Sequence, residues 1–296
     1  MEKSLTNKTK PPAEGWPVLH IYHKLLYRYD EPVLLGPQRL NLWPRLGEHQ
    51  RLLSHRLSIT PSPSGLYSEL DVEGNNSQWA YFNGPTRQLE VVMEMKAECH
   101  PFNPLHFVVY PFDAATMPFE YSGPLARLLE RYKAAAPPDK PVAQWAASLL
   151  EEASHQTVAF LELLCRRLHD EFTYTLRKDG PPHNPADTFL HRRGSCRDLS
   201  MLMIAVCHSV GLAARFVSGY AWTERELEKN ELHAWVEVYL PGAGWRAFDP
   251  TQGTPVTARH ITMAASAFQD RTVPVYGTYG GPAPSRLDTE VRLKMA

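Results

Sequence analysis

The sequence predicts an α+β protein in which a central apolar helix packs on an antiparallel sheet, preceded by a β-rich region. Three observations support this class. An apolar stretch without proline spans residues 199–210 and ends at Gly211, as is typical of a buried helix. Two strand patterns follow, at 232–240 and 245–249, joined by a turn containing proline and glycine. Over residues 17–120, short alternating segments broken by proline and glycine favour a β-sandwich-like domain or a curled sheet.

The 296 residues are enough for one large or two modest domains. Two further helices are predicted, at 142–152 and 156–172, from apolar residues at helical spacing. The resulting division has five parts. They are a disordered or loose N-terminus (1–16), a β-rich domain (17–120), a connecting helix and linker (121–141), a catalytic core (142–276) and a C-terminal tail with a candidate last strand (277–296).

The overall composition is that of a soluble globular protein, with 43% hydrophobic and 21% charged residues. A net charge of −1 and the absence of a basic stripe argue against nucleic acid as a partner. The sequence has no apolar run of about 18 residues, so no membrane partner is expected. The polar N-terminus lacks the apolar centre of a signal peptide, which favours a cytoplasmic location. The oligomeric state stays open.

The cysteines and histidines do not show the spacing of a metal site. The four cysteines are scattered, at Cys99, Cys165, Cys196 and Cys207. His20 and His23 come nearest to ligand spacing, but no third ligand of suitable type accompanies them. No acidic loop of the density that calcium needs is present. We therefore predict no metal and no organic cofactor.

Cys196 is the candidate nucleophile. A cysteine attacks as its thiolate, whereas a free thiol with a pKa of about 8.5 is mostly protonated at neutral pH. Gly194 and Ser195 form a tight entry that places Cys196 in the first turn of the apolar helix. Unpaired backbone N–H groups at that end favour an anion, by about 0.3–1 kcal/mol at exposed sites. Arg197 and Asp198 are interpreted as residues that serve the helix N-terminus and local salt bridges.

His233 and Asp249 are the candidate base and its orienting residue. His233 lies near the start of the first strand of the predicted hairpin, and Asp249 ends the second. A hairpin brings these two positions together although 16 residues separate them. The helix can then bring Cys196 to the other side of the imidazole, which completes a nucleophile, a base and an orienting group. Each residue alone has an ordinary structural interpretation, and their joint order favours the catalytic one.

The oxyanion hole would use the backbone N–H of Cys196 and one further donor. Tyr174 is one candidate for this donor, and Trp145 is a weaker one. The sequence does not decide between them.

The candidate residues lie in four ordered blocks, at 194–198, 211–220, 233–238 and 244–251. These blocks resemble the bacterial transglutaminase-like proteins, which are relatives of animal transglutaminases and papain-type peptidases. The resemblance implies a transglutaminase-like (papain-like) core with Cys196, His233 and Asp249 as its triad. It also implies acyl-transfer chemistry on amides through a thioester. Arg197 stands where relatives commonly carry glutamine.

The leading hypothesis is therefore thiol-dependent cleavage of a peptide or isopeptide amide, with a peptide or protein as substrate. One alternative is acyl transfer from a protein glutamine to an amine, which would crosslink proteins. The other is a non-catalytic module that binds a peptide. Hydrolysis is preferred because no amine-guiding site can be named.

Overall fold

The computed structural model describes residues 15–45, 47–133, 139–177, 180–223 and 231–296. Most of the N-terminal segment expected to be loose lies outside the described residues, as do residues 134–138 of the expected linker.

The N-terminal region is β-rich, and its strands belong to one seven-stranded antiparallel sheet. The strand β1 is common to four of the pairings, since it contacts β4, β5, β13 and β14. The strands are β1 (Val18–Leu40), β2 (Gln50–Thr60), β3 (Gly65–Leu70), β4 (Asn76–Tyr81), β5 (Pro85–Cys99), β13 (Val275–Gly280) and β14 (Ser285–Met295). The segment 277–296, which the sequence set apart as a tail, thus supplies most of β13 and all of β14 to this sheet.

The two faces of this sheet differ in polarity. Over residues 18–25 of β1, odd-numbered side chains are buried, whereas even-numbered ones are partly exposed. The buried face packs against Tyr220, Ile261 and Met263, which belong to a second sheet. The two parts of the chain therefore share one apolar layer.

Five α-helices occur in the described part of the chain. They are α1 (Gly123–Leu129), α2 (Lys140–Glu152), α3 (Thr157–Glu171), α4 (Pro185–His191) and α5 (Cys196–Ser209). The helices α2 and α3 agree with the predicted ones to within two residues at each end, and α5 carries Cys196 in its first turn, as predicted. Among the described residues, no helix is long and apolar enough to cross a membrane.

A second, five-stranded antiparallel sheet carries the helices. It comprises β8 (Ala214–Ala221), β9 (His233–Leu240), β10 (Gly244–Asp249), β11 (Thr254–Pro255) and β12 (His260–Ser266), in the order β11-β10-β9-β8-β12. The helix α5 lies on this sheet, and its Leu202, Met203 and Val206 share a fully buried core with Val236 and Val238 of β9. The predicted fold class, a central helix packed on an antiparallel sheet after a β-rich region, is confirmed.

Gly219 of β8 allows a close approach inside this sheet. It lies directly opposite His233 in the register of β8 and β9. A Cβ atom at Gly219 would lie 2.1 Å from the carbonyl oxygen of Ile261 and 2.6 Å from the indole ring of Trp235. Only glycine fits here without displacing the backbone. The lack of a side chain at Gly219 therefore lets β12 and Trp235 pack closely against β8, beside His233.

Candidate active site

Cys196 is the first residue of α5, and the turn before it is held by a capping box. Asp198 accepts hydrogen bonds from the backbone N–H and the hydroxyl of Ser195, both at 2.8 Å, while Ser195 caps the helix in return. This reciprocal pair fixes the entry into the helix. Cys196 is buried, with 6% of its surface exposed.

Asp198 also links α5 to two residues that precede it in the chain, Arg177 and His183. Its carboxylate accepts from the guanidinium of Arg177 and from the backbone N–H of His183, both at 2.7 Å. Burial by itself raises the pKa of Asp198, but the hydrogen bonds from His183 and Ser195 outweigh it and lower that pKa. Arg197 donates to the carbonyl oxygens of Gly180 and Arg177. The two residues after Cys196 therefore anchor Arg177, Gly180 and His183 to the start of α5.

His233 and Asp249 meet as the hairpin prediction requires. The strands β9 and β10 are antiparallel neighbours, and His233 Nε2 donates to Asp249 Oδ2 at 2.7 Å. Asp249 is fully buried, and it also accepts from the backbone N–H groups of Thr251 at 2.9 Å and Gln252 at 3.2 Å. Because Nε2 is committed to Asp249, Nδ1 is the ring nitrogen that remains for a reacting group.

The electrostatics of this pair favour its charged form. Burial lowers the pKa of His233, but the charge of Asp249 and the hydrogen bonds to Asp249 and Cys196 raise it to about 10. Burial likewise raises the pKa of Asp249, and the charge and hydrogen bond of His233 bring it well below the usual range. An imidazolium beside Cys196 is thus stabilised from its far side by a buried carboxylate.

His260 is a residue of this site that the sequence reasoning missed. Its Nε2 lies 3.1 Å from the same Asp249 oxygen that His233 contacts, and its Nδ1 accepts from the backbone N–H of Thr257 at 3.3 Å. That acceptor role places the proton on Nε2, so His260 donates to Asp249. His260 is buried, with 4% of its surface exposed. A second imidazole therefore helps to hold the carboxylate.

Tyr174, the first candidate oxyanion donor, lies beside the nucleophile turn. It belongs to the short strand β6 (Thr173–Tyr174), which pairs in parallel with β7 (Arg193–Gly194), and its register partner is Gly194. Burial raises the pKa of Tyr174, and the charge of Cys196 and a hydrogen bond with it raise it further. The Tyr174 hydroxyl therefore stays protonated, and it can donate to an atom near Cys196.

Trp145, the weaker candidate, takes part in an aromatic cluster. Its ring centroid lies 5.8 Å from that of Phe172 and 5.3 Å from that of Phe189. The guanidinium of Arg192 covers these rings at 4.4 to 5.5 Å. Arg192 adopts a left-handed conformation, with φ of 51°, directly before β7. The contacts of Trp145 therefore support the turn that leads to Cys196.

The other cysteines and the histidine pair of β1 have different surroundings. Burial raises the pKa of Cys99, Cys165 and Cys207, so these thiols stay protonated. His23 is buried between the two sheets, where its Nδ1 lies 2.7 Å from the Tyr220 hydroxyl, whereas His20 lies on the exposed face.

Within the described ranges, no group of three or more His, Cys, Asp or Glu side chains could hold a metal ion.

Comparison with known proteins defines the class to which this fold and site belong. Residues 143–250 match the transglutaminase-like superfamily, and residues 19–98 match the bacterial transglutaminase-like N-terminal region. Matches to these two models confirm the resemblance to the bacterial transglutaminase-like proteins that the order of the sequence blocks predicted.

Three individual proteins illustrate what the chain is similar to. An uncharacterised protein of Mycobacterium tuberculosis is 28% identical over 298 residues, which cover 95% of this chain and 93% of the relative. A protein-glutamine gamma-glutamyltransferase of Pseudomonas aeruginosa is 35% identical over 121 residues, but these cover 38% of this chain and 18% of that enzyme. The crystal structure of a candidate cysteine protease from Cytophaga hutchinsonii shares the fold, with a TM-score of 0.66, 17% identity and coverage of 94% of this chain and 91% of that one.

Proposed function

We propose that this protein cleaves peptide or isopeptide amide bonds through a thioester on Cys196. The observation that carries the proposal is the His233–Asp249 pair, joined at 2.7 Å and interacting with a cysteine in the first turn of α5. These are the three groups that a thiol acyl-transfer site needs: a nucleophile, a base and a group that orients the base.

The first half of the reaction forms the thioester. The Cys196 sulfur attacks the amide carbonyl carbon, and the carbonyl oxygen becomes negatively charged. The backbone N–H of Cys196 and the Tyr174 hydroxyl are the donors that we assign to this oxygen. His233 then gives its Nδ1 proton to the departing nitrogen as the C–N bond breaks, and the amine leaves. Asp249 stabilises the imidazolium before this transfer.

The second half releases the acid. His233, now neutral, accepts a proton from a water molecule as that water attacks the thioester carbon. The C–S bond breaks, and the sulfur leaves as the thiolate beside the imidazolium. The products are a carboxylic acid and an amine, and Cys196, His233 and Asp249 return to their starting states. His260 keeps Asp249 in place during both halves through its bond at 3.1 Å.

Transfer of the acyl group to an amine is the competing function, and the glutamyltransferase relative favours it. The two reactions share the thioester and differ in whether water or an amine attacks it. A chain that only binds peptides would form no thioester.

The experiment uses protein-derived peptides in H₂¹⁸O, some of them crosslinked through glutamine–lysine isopeptide bonds, with the primary amine cadaverine added. The expected result is carboxylates carrying ¹⁸O, at new C-termini or at side chains released from a crosslink, formed by the wild-type protein and by Cys207→Ala but not by Cys196→Ala. Cys207 is a matched control because it is a buried cysteine of the same helix. Cadaverine-modified glutamines in place of ¹⁸O-labelled carboxylates would assign transfer instead. No product that depends on Cys196 would contradict both enzymatic functions and favour the binding module.

A further inference from the structure

The exposed face of the N-terminal sheet carries a cavity of about 540 Å³. Its lining comes from β14, β1, β5 and β2, with His20 and Tyr22 on the central strand β1. The opposite face of β1 packs against the sheet that holds the candidate active site. The cavity is therefore separate from the site around Cys196, and its interpretation does not rest on the function proposed for that site.

Three basic side chains form a row across this cavity. In the strand register, His20 lies directly opposite Lys294 of β14 on one side and Lys96 of β5 on the other. Side chains at such positions have Cβ atoms about 4.5–5.5 Å apart, and like charges there are unfavourable. Burial lowers the pKa of His20, and the charges of Lys96 and Lys294 lower it further.

Two of the carboxylates around this row are paired with other bases, Glu290 with Arg292 at 3.0 Å and Glu98 with Arg51 at 3.0 Å. A third, Glu94, also lines the cavity and lies opposite Arg56 in the strand register. Lys96 and Lys294, by contrast, form no ion pair within 4.0 Å with any described residue. The chain as a whole has a net charge of −1, so this excess of positive charge is local.

We propose that the cavity binds a small organic phosphate whose phosphate group lies above His20 between Lys96 and Lys294. Two strand spacings separate the lysine backbones by about 9–10 Å, so their long side chains can converge on one doubly charged group. The volume is in the range of small-molecule sites and exceeds what a bare phosphate ion needs. The rest of the ligand would lie against Tyr22, whose ring is covered by Arg292 at 4.1 Å.

The test follows the His20 imidazole resonance by NMR during titration with inorganic phosphate and with glycerol 3-phosphate, at constant ionic strength in sodium chloride. His20→Gln assigns the resonance. The expected result is a saturable shift of this resonance, with tighter binding of glycerol 3-phosphate. The apparent Kd should rise at least tenfold in Lys96→Gln/Lys294→Gln and stay unchanged in Arg127→Gln, an exposed position on α1.

Three results would overturn the proposal. One is a His20 resonance that neither phosphate moves, and another is an equal affinity in the double variant and the wild type. The third is binding to vesicles that contain phosphatidylglycerol without any binding of glycerol 3-phosphate, since this would assign the face to a membrane surface.

Discussion

Replacing Asp198 with alanine tests how the turn at Cys196 is held. The carboxylate accepts from the Ser195 N–H and hydroxyl, from Arg177 and from the His183 N–H. Removing the acceptor of a buried N–H costs about 1–3 kcal/mol. Ser195 is 2% exposed, so we take about 2 kcal/mol for its N–H.

The other partners of Asp198 contribute less to the total. The Arg177 side chain is 26% exposed, and His183, which donates its backbone N–H, is an exposed residue, so water can replace part of each lost bond. We therefore take about 1 kcal/mol for each of these two residues. The expected loss in the free energy of unfolding is about 4 kcal/mol, which corresponds to a fall in Tm of roughly 6 °C for a chain of 296 residues.

Urea denaturation and thermal melting measure this loss. Asp187→Ala is the matched control, because Asp187 is an exposed carboxylate in the first turn of the neighbouring helix α4. The control should change the unfolding midpoint only slightly. If Asp198→Ala were as stable as Asp187→Ala to within about 1 kcal/mol, the carboxylate would not hold the turn, and the reasoning from its four bonds would be refuted.

Three further predictions concern the sheet and the buried carboxylate. Gly219→Ala should lower the free energy of unfolding by about 3 kcal/mol or more, because the new Cβ would lie 2.1 Å from the Ile261 carbonyl oxygen. Urea denaturation measures this loss, and an unchanged unfolding midpoint would contradict the prediction. The pKa of His233 is raised, so protonated His233 adds to the free energy of unfolding. This contribution is complete below about pH 6.5 and is lost as the pH rises through about 10. When Tm is measured from pH 7 to pH 10, the wild-type protein should therefore lose more stability than His233→Gln. Parallel curves of Tm against pH for the two proteins would contradict this prediction. If amide cleavage is established, His260→Phe should lower kcat roughly tenfold with little change in KM, because Asp249 loses a hydrogen-bond donor. Changes of equal size in kcat and KM would instead indicate that His260 has a general structural role.

The sequence was most informative where the interacting residues are joined by short local structures. The hairpin that unites His233 and Asp249 needs only two alternating segments and a turn between them. The placement of Cys196 follows from a glycine-containing entry and an apolar helix that begins there. Such features depend on neighbours in the chain, and periodicity reports them directly.

Contacts between segments that are distant in the chain leave no comparable periodic pattern in the sequence. The pairing of β14 with β1 joins residues far apart in the chain, such as Leu19 and Met295 (295 − 19 = 276 positions), and alternation in a strand does not specify its partner. His260 lies 11 residues beyond Asp249 on a strand that pairs with β8 rather than with β10. In the sequence, His260 is only a histidine beside the apolar Ile261 and Met263, which does not indicate a contact with Asp249.

The alkylation rate of Cys196 by iodoacetamide, measured by mass spectrometry from pH 5 to pH 9, tests the central claim most directly. The account predicts rapid modification of the wild-type protein below pH 7, because the imidazolium of His233 stabilises a thiolate at Cys196. His233→Ala should react slowly over the same range. A wild-type rate that follows an ordinary thiol near pH 8.5, or one that His233→Ala leaves unchanged, would contradict the ion pair and with it the proposed chemistry.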